Sequence, residues 1–458
     1  MPGVIIIGAG LAGLSLACEL VDEGYEVLIL EKESHLGGRA SNTIDEKTGD
    51  AVPIGPHIFL ASYNNFRRFL QKIGAEESIF YDRRVFTEFV YDRKRYEYLI
   101  ADIPGGMLTM YRMMRYPFTK WYDQLSNLRL AAAILFSPDE RFEKLDDITA
   151  LDYLRSQGVT TRCIDMYWRM FVMSFLNIPI ERCSAAEFCL LLKFWTKQSD
   201  RCVGLGTKGL GDIYTGKAEA YITSRGGKIL RNAAVMSVAC RDGKVEHLVV
   251  QQGGKERKIR ADLYVSTLPP PELVRVVPPE LESHFGGLRN LQGVPYITVN
   301  IWFDRKITDK KFWALVTDGN QRYMNTDFYD QSNLYTGKPT SFITSNIIYS
   351  HAYHAMTDDK IVARTVEEIR EAFPDMQAKV VHSVVHRLPY VIYAPYPGMR
   401  QHKLSQETPI PNLFLAGDWT IREHPQSMEA AVRSGFKCAE RILTSRGKDK
   451  SLCDDRIL

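Results

Sequence analysis

None of the eight cysteines in this 458-residue chain stands in a C-x-x-C pair. That spacing argues against a zinc site and a disulfide framework, and dispersed thiols fit a reducing cytoplasm best. No block of lysine and arginine occurs, and the formal net charge of +3 is too small and scattered for a nucleic-acid partner. Outside the glycine-rich stretch 3–18, no apolar run reaches the roughly 18 residues of a membrane span, so any membrane contact is expected to be peripheral. That first stretch lacks the basic flank of a signal peptide. Low-complexity tracts and internal repeats are missing too, and a flexible tail is expected only at 446–458. With 45% hydrophobic and 25% charged residues, the composition is that of a globular protein with a sizeable core.

What the chain does have is a nucleotide fingerprint at its start. Val4-Ile5-Ile6-Ile7 is a β-branched apolar run suited to a buried parallel strand, and Gly8, Gly10 and Gly13 follow at the spacing G-x-G-x-x-G. Gly8 permits a tight turn, Gly10 lets backbone amides approach a pyrophosphate, and Gly13 lets the next helix pack on the strand. That helix, predicted over 11–23 and ended by Gly24, aims its N-terminal N–H groups and dipole at the phosphates. A second apolar strand, 27–30, delivers Glu31 about 20 residues after the first glycine, where a carboxylate accepts hydrogen bonds from ribose hydroxyls and disfavours a 2′-phosphate. The fingerprint alone does not separate NAD from FAD.

At the far end, residues 412–420 form a short apolar strand closing in Gly417-Asp418, and a helix is predicted from Met428 to about 443. A Gly-Asp turn presents an amide and a carboxylate to a pyrophosphate and ribitol, and the helix start favours negative charge on a flavin carbonyl. A plain strand, turn and helix with Ser427 as N-cap accounts for the same residues.

Gly37-Gly38-Arg39 resembles the continuation of the fingerprint in two-dinucleotide-binding-domain flavoproteins, where it holds the ADP half of FAD. Together with the chain start, 413–435 resembles the FAD-dependent desaturase and flavin amine oxidase superfamily. The phytoene desaturase and squalene-associated hydroxysqualene dehydroxylase branches share the most. The likeness also runs through Gly55-Pro56-His57-Ile58-Phe59, Phe175-Leu176-Asn177, and Gly293-Val294-Pro295 with 299–305. It implies non-covalent FAD contacts from Gly8, Gly10, Gly13, Glu31, Gly38, Arg39, Gly417, Asp418 and Met428, and from the backbone of Val235 at the adenine. Ala430-Ala431 departs from the Gly-Ala of those desaturases, and the charges of 420–425 do not map onto their turn.

Between the two ends, a helix is predicted over 212–224, a strand over 228–230, a hairpin at Asp242-Gly243 and a returning strand over 261–267. The expected fold is therefore α/β: a discontinuous Rossmann-like FAD-binding domain (1–80, 205–275, 405–445) interleaved with a mixed α+β substrate and membrane-contact domain (81–204, 276–404). Residues 107–122 mix methionine, aromatic and basic side chains, a composition suited equally to a buried helix or a membrane interface. The stretch 166–176 carries a methionine and aromatic stripe, either core or the lining of a long apolar tunnel, interrupted by Asp165 and Arg169. His351/His354 and His382/His386 have spacings that face one side of a helix, but no carboxylate completes a metal site, and none is assigned.

The chemistry implied is hydride transfer to or from flavin N5 on a long apolar isoprenoid, a phytoene-type carotenoid precursor or a squalene-type C30 substrate, with water excluded. A quinone or other acceptor would reoxidise the flavin. His57 is the candidate polar group beside the flavin, and Arg422 the candidate to hold a quinone or to serve a cation-stabilising arrangement; a packed histidine and a solvated arginine are the plain alternatives. A flavin amine oxidase and a non-catalytic flavin- or lipid-binding protein are the competing functions. A cytoplasmic, peripherally membrane-associated enzyme is expected.

Overall fold

The computed structural model describes residues 3–82, 85–99, 119–197, 202–316 and 322–455. A five-stranded parallel sheet is built in the order Lys228–Leu230, Glu26–Leu30, Gly3–Ile7, Leu263–Ser266, Leu413–Leu415. Each strand is an apolar run because both of its faces are covered. Val4, Ile6, Val27, Ile29 and Val265 point to one side, where they meet the helices Leu11–Asp22, Thr215–Thr223 and Met428–Thr444. Ile5, Ile7, Leu30, Tyr264 and Leu415 point to the other, against the hairpin Ala233–Arg241/Lys244–Gln252 and the helix Pro270–Val276. The sequence-predicted strands and hairpin appear within a residue or two of their expected ends.

A seven-stranded sheet forms the second layer, ordered Val380–Tyr393, Gly293–Phe303, Phe342–Ile347, Asp327–Asp330, Phe312–Leu315, Val85–Tyr91, Lys94–Leu99. Its pairs are antiparallel except that between Phe312–Leu315 and Val85–Tyr91. Ile297, Val299, Ile301, Phe328 and Ile343 bury one face against the helix Asp358–Ala372 through Ile361 and Ile369. A helical layer with its own core, including Ala150–Ser156 and Ala185–Lys197, packs nearby. The methionine and aromatic stretch becomes a π-turn, Ile164–Trp168, followed by the helix Arg169–Leu176. Trp168, Phe171 and Val172 enter the helical core, whereas Met166 and Met170 meet Phe89, Ala314 and Val316 of the sheet. Asp165 and Arg169 form an ion pair at 2.8 Å rather than a break.

Two expectations are corrected. His382 and His386 lie on the strand Val380–Tyr393, where a spacing of four keeps them on one sheet face as it would on a helix. The tail expected to be flexible from 446 is docked as far as 455. Leu452 and Cys453 are buried, the Leu452 carbonyl accepts from Arg68, and the Asp454 N–H donates to Asn65. Apolar burial and backbone hydrogen bonds hold a segment whose short sequence shows neither. Of the stretch 107–122, only 119–122 falls within the described residues.

Candidate functional site

The glycines of the fingerprint differ in what they do. Gly8 has φ 103° and a Cβ there would stand 2.6 Å from Thr267 Oγ1, while a Cβ on Gly13 would stand 2.1 Å from the Gly8 carbonyl oxygen. Both are required by packing. A Cβ on Gly10 would meet nothing within 4 Å, so this glycine leaves space open above the start of the helix, which it caps with no side-chain hydrogen bond. Gly38, at φ 57°, lies over that point: its Cβ would be 3.5 Å from Gly10 Cα. The Gly37 N–H donates to Ala9 at 2.9 Å, and the buried Tyr214 hydroxyl ties the loop down through the Gly37 and Ala40 carbonyls at 3.2 and 2.7 Å. Glu31 is buried and accepts from the Ala9 and Glu33 N–H groups at 2.8 and 2.9 Å. A carboxylate has about four lone-pair positions, so roughly two remain for a ligand. The Glu31 carbonyl accepts from Ala233 at 2.8 Å, bringing Val235 along on the next strand.

The far end of the chain meets the same region. Gly417, at φ 137°, is fixed by Ser434 Oγ, which accepts its N–H at 2.8 Å. The buried Asp418 accepts from Arg39 Nη2 at 2.7 Å, and Arg39 Nη1 donates to the Val391 carbonyl at 2.7 Å. Burial works against the charge of Arg39, but Asp418 and Tyr390 more than offset it, and its pKa is raised. Ser427 is the N-cap, accepting from Ala430 at 3.1 Å, and puts Met428 at the buried first position of the helix. Glu429 is buried one residue on, where it accepts the Asn65 and Phe66 N–H groups at 3.2 and 2.8 Å and so caps the helix Asn64–Lys72.

His57 donates from Nδ1 to the Gly55 carbonyl at 2.7 Å. Burial, with Arg39 nearby, lowers its pKa despite that bond, leaving a neutral ring whose Nε2 carries the lone pair. Arg422 is exposed and donates to the Lys403 carbonyl at 3.0 Å; it joins none of the contacts linking His57, Arg39 and Asp418. The seven-stranded sheet adds a group that sequence reasoning missed. Thr298 donates to the Ile54 carbonyl at 2.7 Å, next to the Gly55-Pro56-His57 turn, and stands in a cross-strand row with His386, Asn346 and Asp327. Tyr214, Ser434 and Glu429 were missed as well. Each acts through a partner more than 170 residues away or, for Ser434, across a turn with no sequence mark.

A family model described as flavin containing amine oxidoreductase matches residues 11–443. The chain belongs to this family. It is a flavin oxidoreductase whose relatives include zeta-carotene desaturase of Arabidopsis thaliana, 28% identical over 96% of this chain and 85% of that protein. The 15-cis-phytoene desaturase of Synechococcus elongatus is 26% identical over 96% and 95%. Among solved structures, an oxidoreductase from Methanosarcina mazei matches with TM-score 0.72 and 16% identity, covering 95% of this chain and 99% of that one. Putrescine oxidase bound to putrescine also matches with TM-score 0.72 and 16% identity, over 97% and 99%. At such identities, these two establish that the flavin oxidoreductase shares their fold. No described helix is long and apolar enough to cross a membrane.

Proposed function

We propose that the chain is an FAD-dependent oxidoreductase of long apolar isoprenoids, of the phytoene-type carotenoid-precursor or squalene-type C30 class, holding FAD without a covalent link. The observation that carries the reading is the junction of the two chain ends at Arg39 and Asp418 beside the space left open over Gly10. The donor set fits a flavin dinucleotide. Uncapped amides after Gly10, flanked by Gly8 and Gly13, suit a pyrophosphate, and the spare lone pairs of Glu31 suit a ribose. Val235 borders the adenine, Gly38, Arg39, Gly417 and Asp418 hold the centre, and the helix start at Met428 takes the flavin carbonyl. FAD when bound supplies a hydride acceptor or donor at N5. Neutral His57 offers Nε2 beside the ring, and Arg422 is assigned to contact with a quinone or other electron acceptor.

The relatives named as zeta-carotene and 15-cis-phytoene desaturases support an apolar isoprenoid substrate. So do Met166 and Met170, adaptable side chains turned onto the substrate-side sheet. Peripheral membrane docking is supported by the exposed Trp121, Tyr122, Leu125, Leu128, Leu135 and Phe136 on two consecutive short helices, with Phe136 84% exposed. The test is anaerobic mixing of the yellow purified protein with phytoene, squalene-type alcohols and amines in liposomes. Loss of the oxidised-flavin absorbance with an isoprenoid is expected. Loss with amines alone, or a colourless protein that accepts only NAD, overturns the reading.

A further inference from the structure

The turn that follows Gly417 has two sides. Asp418 reaches Arg39 from one of them, whereas Thr420, Ile421 and Arg422 wall a cavity on the other, completed by Leu404, Ser405 and Lys437. The cavity opens to solvent and holds about 140 Å³. A water molecule takes about 30 Å³ of liquid, so this is room for one small ring and not for a long isoprenoid. Its wall is fixed. Thr420 donates to the Gly417 carbonyl at 2.8 Å and accepts from Gln406 at 3.0 Å, so a single turn of chain separates the cavity from Asp418. The Ile421 and Arg422 carbonyls accept from the buried Lys403 and Arg400 at 3.4 and 3.2 Å, and Glu187 holds both cations.

The lining is mixed. Leu404 and Ile421 are apolar, while Arg422 spends one guanidinium N–H on the Lys403 carbonyl and keeps the others for a ligand. Lys437 adds a second cation, paired with Glu423. A flat ring carrying carbonyl oxygens suits such a site, with apolar contact for its face and N–H donors for its oxygens. Arg400 also donates to Glu143 at 3.1 Å, on the short helix Asp139–Glu143 that follows the exposed Leu135 and Phe136. One arginine thus joins the cavity wall to the face proposed to meet the membrane.

We propose that this cavity receives the headgroup of a membrane quinone, the electron acceptor, while the isoprenoid binds elsewhere, so that both are bound at once. This rests on the flavin oxidoreductase reading above and gives its second substrate a site. The reaction balances as reduced flavin plus quinone giving oxidised flavin plus quinol, with two electrons and two protons passing in all. The electrons cross the turn, and the protons exchange with the solvent to which the cavity opens. Negative charge builds on the quinone oxygens as electrons arrive, and Arg422 and Lys437 supply the positive charge that stabilises it.

The test is equilibrium dialysis of duroquinone, a tail-free quinone with no ring position open to thiol attack, against the FAD-loaded and the cofactor-free protein in detergent, with and without saturating phytoene. Duroquinone is expected to bind in every case, with its affinity changed less than about twofold by phytoene. Arg422→Ala is expected to weaken it about tenfold, the worth of one charge-assisted hydrogen bond. Ser405→Trp, which fills the cavity from an exposed position, is expected to abolish it. Both substitutions are at exposed residues, so melting temperatures near wild type are expected and are measured alongside. Duroquinone displaced by phytoene, bound equally by wild type and both variants, or not bound by a protein that binds phytoene, overturns the proposal. A protein that takes up neither FAD nor phytoene overturns the reading beneath it.

Discussion

Arg39 Nη2 lies 2.7 Å from Asp418 Oδ1, joining residues 379 positions apart. The Asp418 side chain is nearly enclosed, at 7% exposure, whereas that of Arg39 is 37% exposed. Removing the cation therefore strands a buried anion, at a cost of about 1–3 kcal/mol once the partial exposure of Arg39 is discounted. Arg39→Ala is expected to lower FAD retention at least about tenfold on dialysis, read as the flavin-to-protein absorbance ratio. Arg39→Lys keeps the charge but not the second donor to Val391, and is expected to fall between.

Two glycines in one motif should fail differently. Gly10→Ala puts a methyl group into open space, so the melting temperature is expected to stay within about 2 °C of wild type while FAD binding is lost. Gly13→Ala drives a methyl group onto the Gly8 carbonyl and is expected to destabilise the fold by several degrees as well. Thermal melts of the flavin-free proteins distinguish the two; equal melts would refute the division of labour.

Asp327 and His424 should give opposite pH dependences. Burial raises Asp327 to about 7 and lowers His424 to about 4. Between about pH 4 and 7, folded Asp327 binds more proton than the unfolded chain, so its contribution to stability declines as pH rises. Between about pH 4 and 6.5, unfolded His424 binds more proton than the folded one, so its contribution declines as pH falls. Relative to wild type, Asp327→Asn is expected to gain stability as pH rises through 4–7. His424→Gln is expected to gain it as pH falls through 6.5–4. Urea unfolding at several pH values measures both differences, and slopes of the same sign would refute the assignment.

The exposed apolar helix face gives a membrane prediction. Leu135→Asp with Phe136→Asp, two side chains 59% and 84% exposed, is expected to abolish co-sedimentation with liposomes and to leave the flavin spectrum unchanged.

The nucleotide half of the fold was legible because buried parallel strands are continuous apolar runs and their turns need glycine. Val4 to Ile7, Gly8, and the hairpin at Asp242-Gly243 carry that information locally. Asp327 and Thr298 were not legible, since only strand register places them in one row with Asn346 and His386. The same limit applies to His382 and His386, because a spacing of four fits one face of a helix and one face of a strand alike. Arg422 stands in a turn whose charges map onto no family pattern, and its exposed side chain makes one hydrogen bond, to the Lys403 carbonyl, that no local sequence pattern marks. Leu452 looked like tail because the groups that receive it, Arg68 and Glu440, lie on two other elements.

The docked segment 452–454 also bears on timing. Asn65 receives both Glu429 and the Asp454 backbone, and the parallel sheet gains its edge strand only from Leu413–Leu415. In synthesis those residues follow the opening fingerprint by several hundred positions. Until Leu413–Leu415 arrives, the parallel sheet keeps an open edge at Leu263–Ser266. An unpaired edge is a template for pairing with another chain, so the nascent protein is exposed to aggregation throughout that interval.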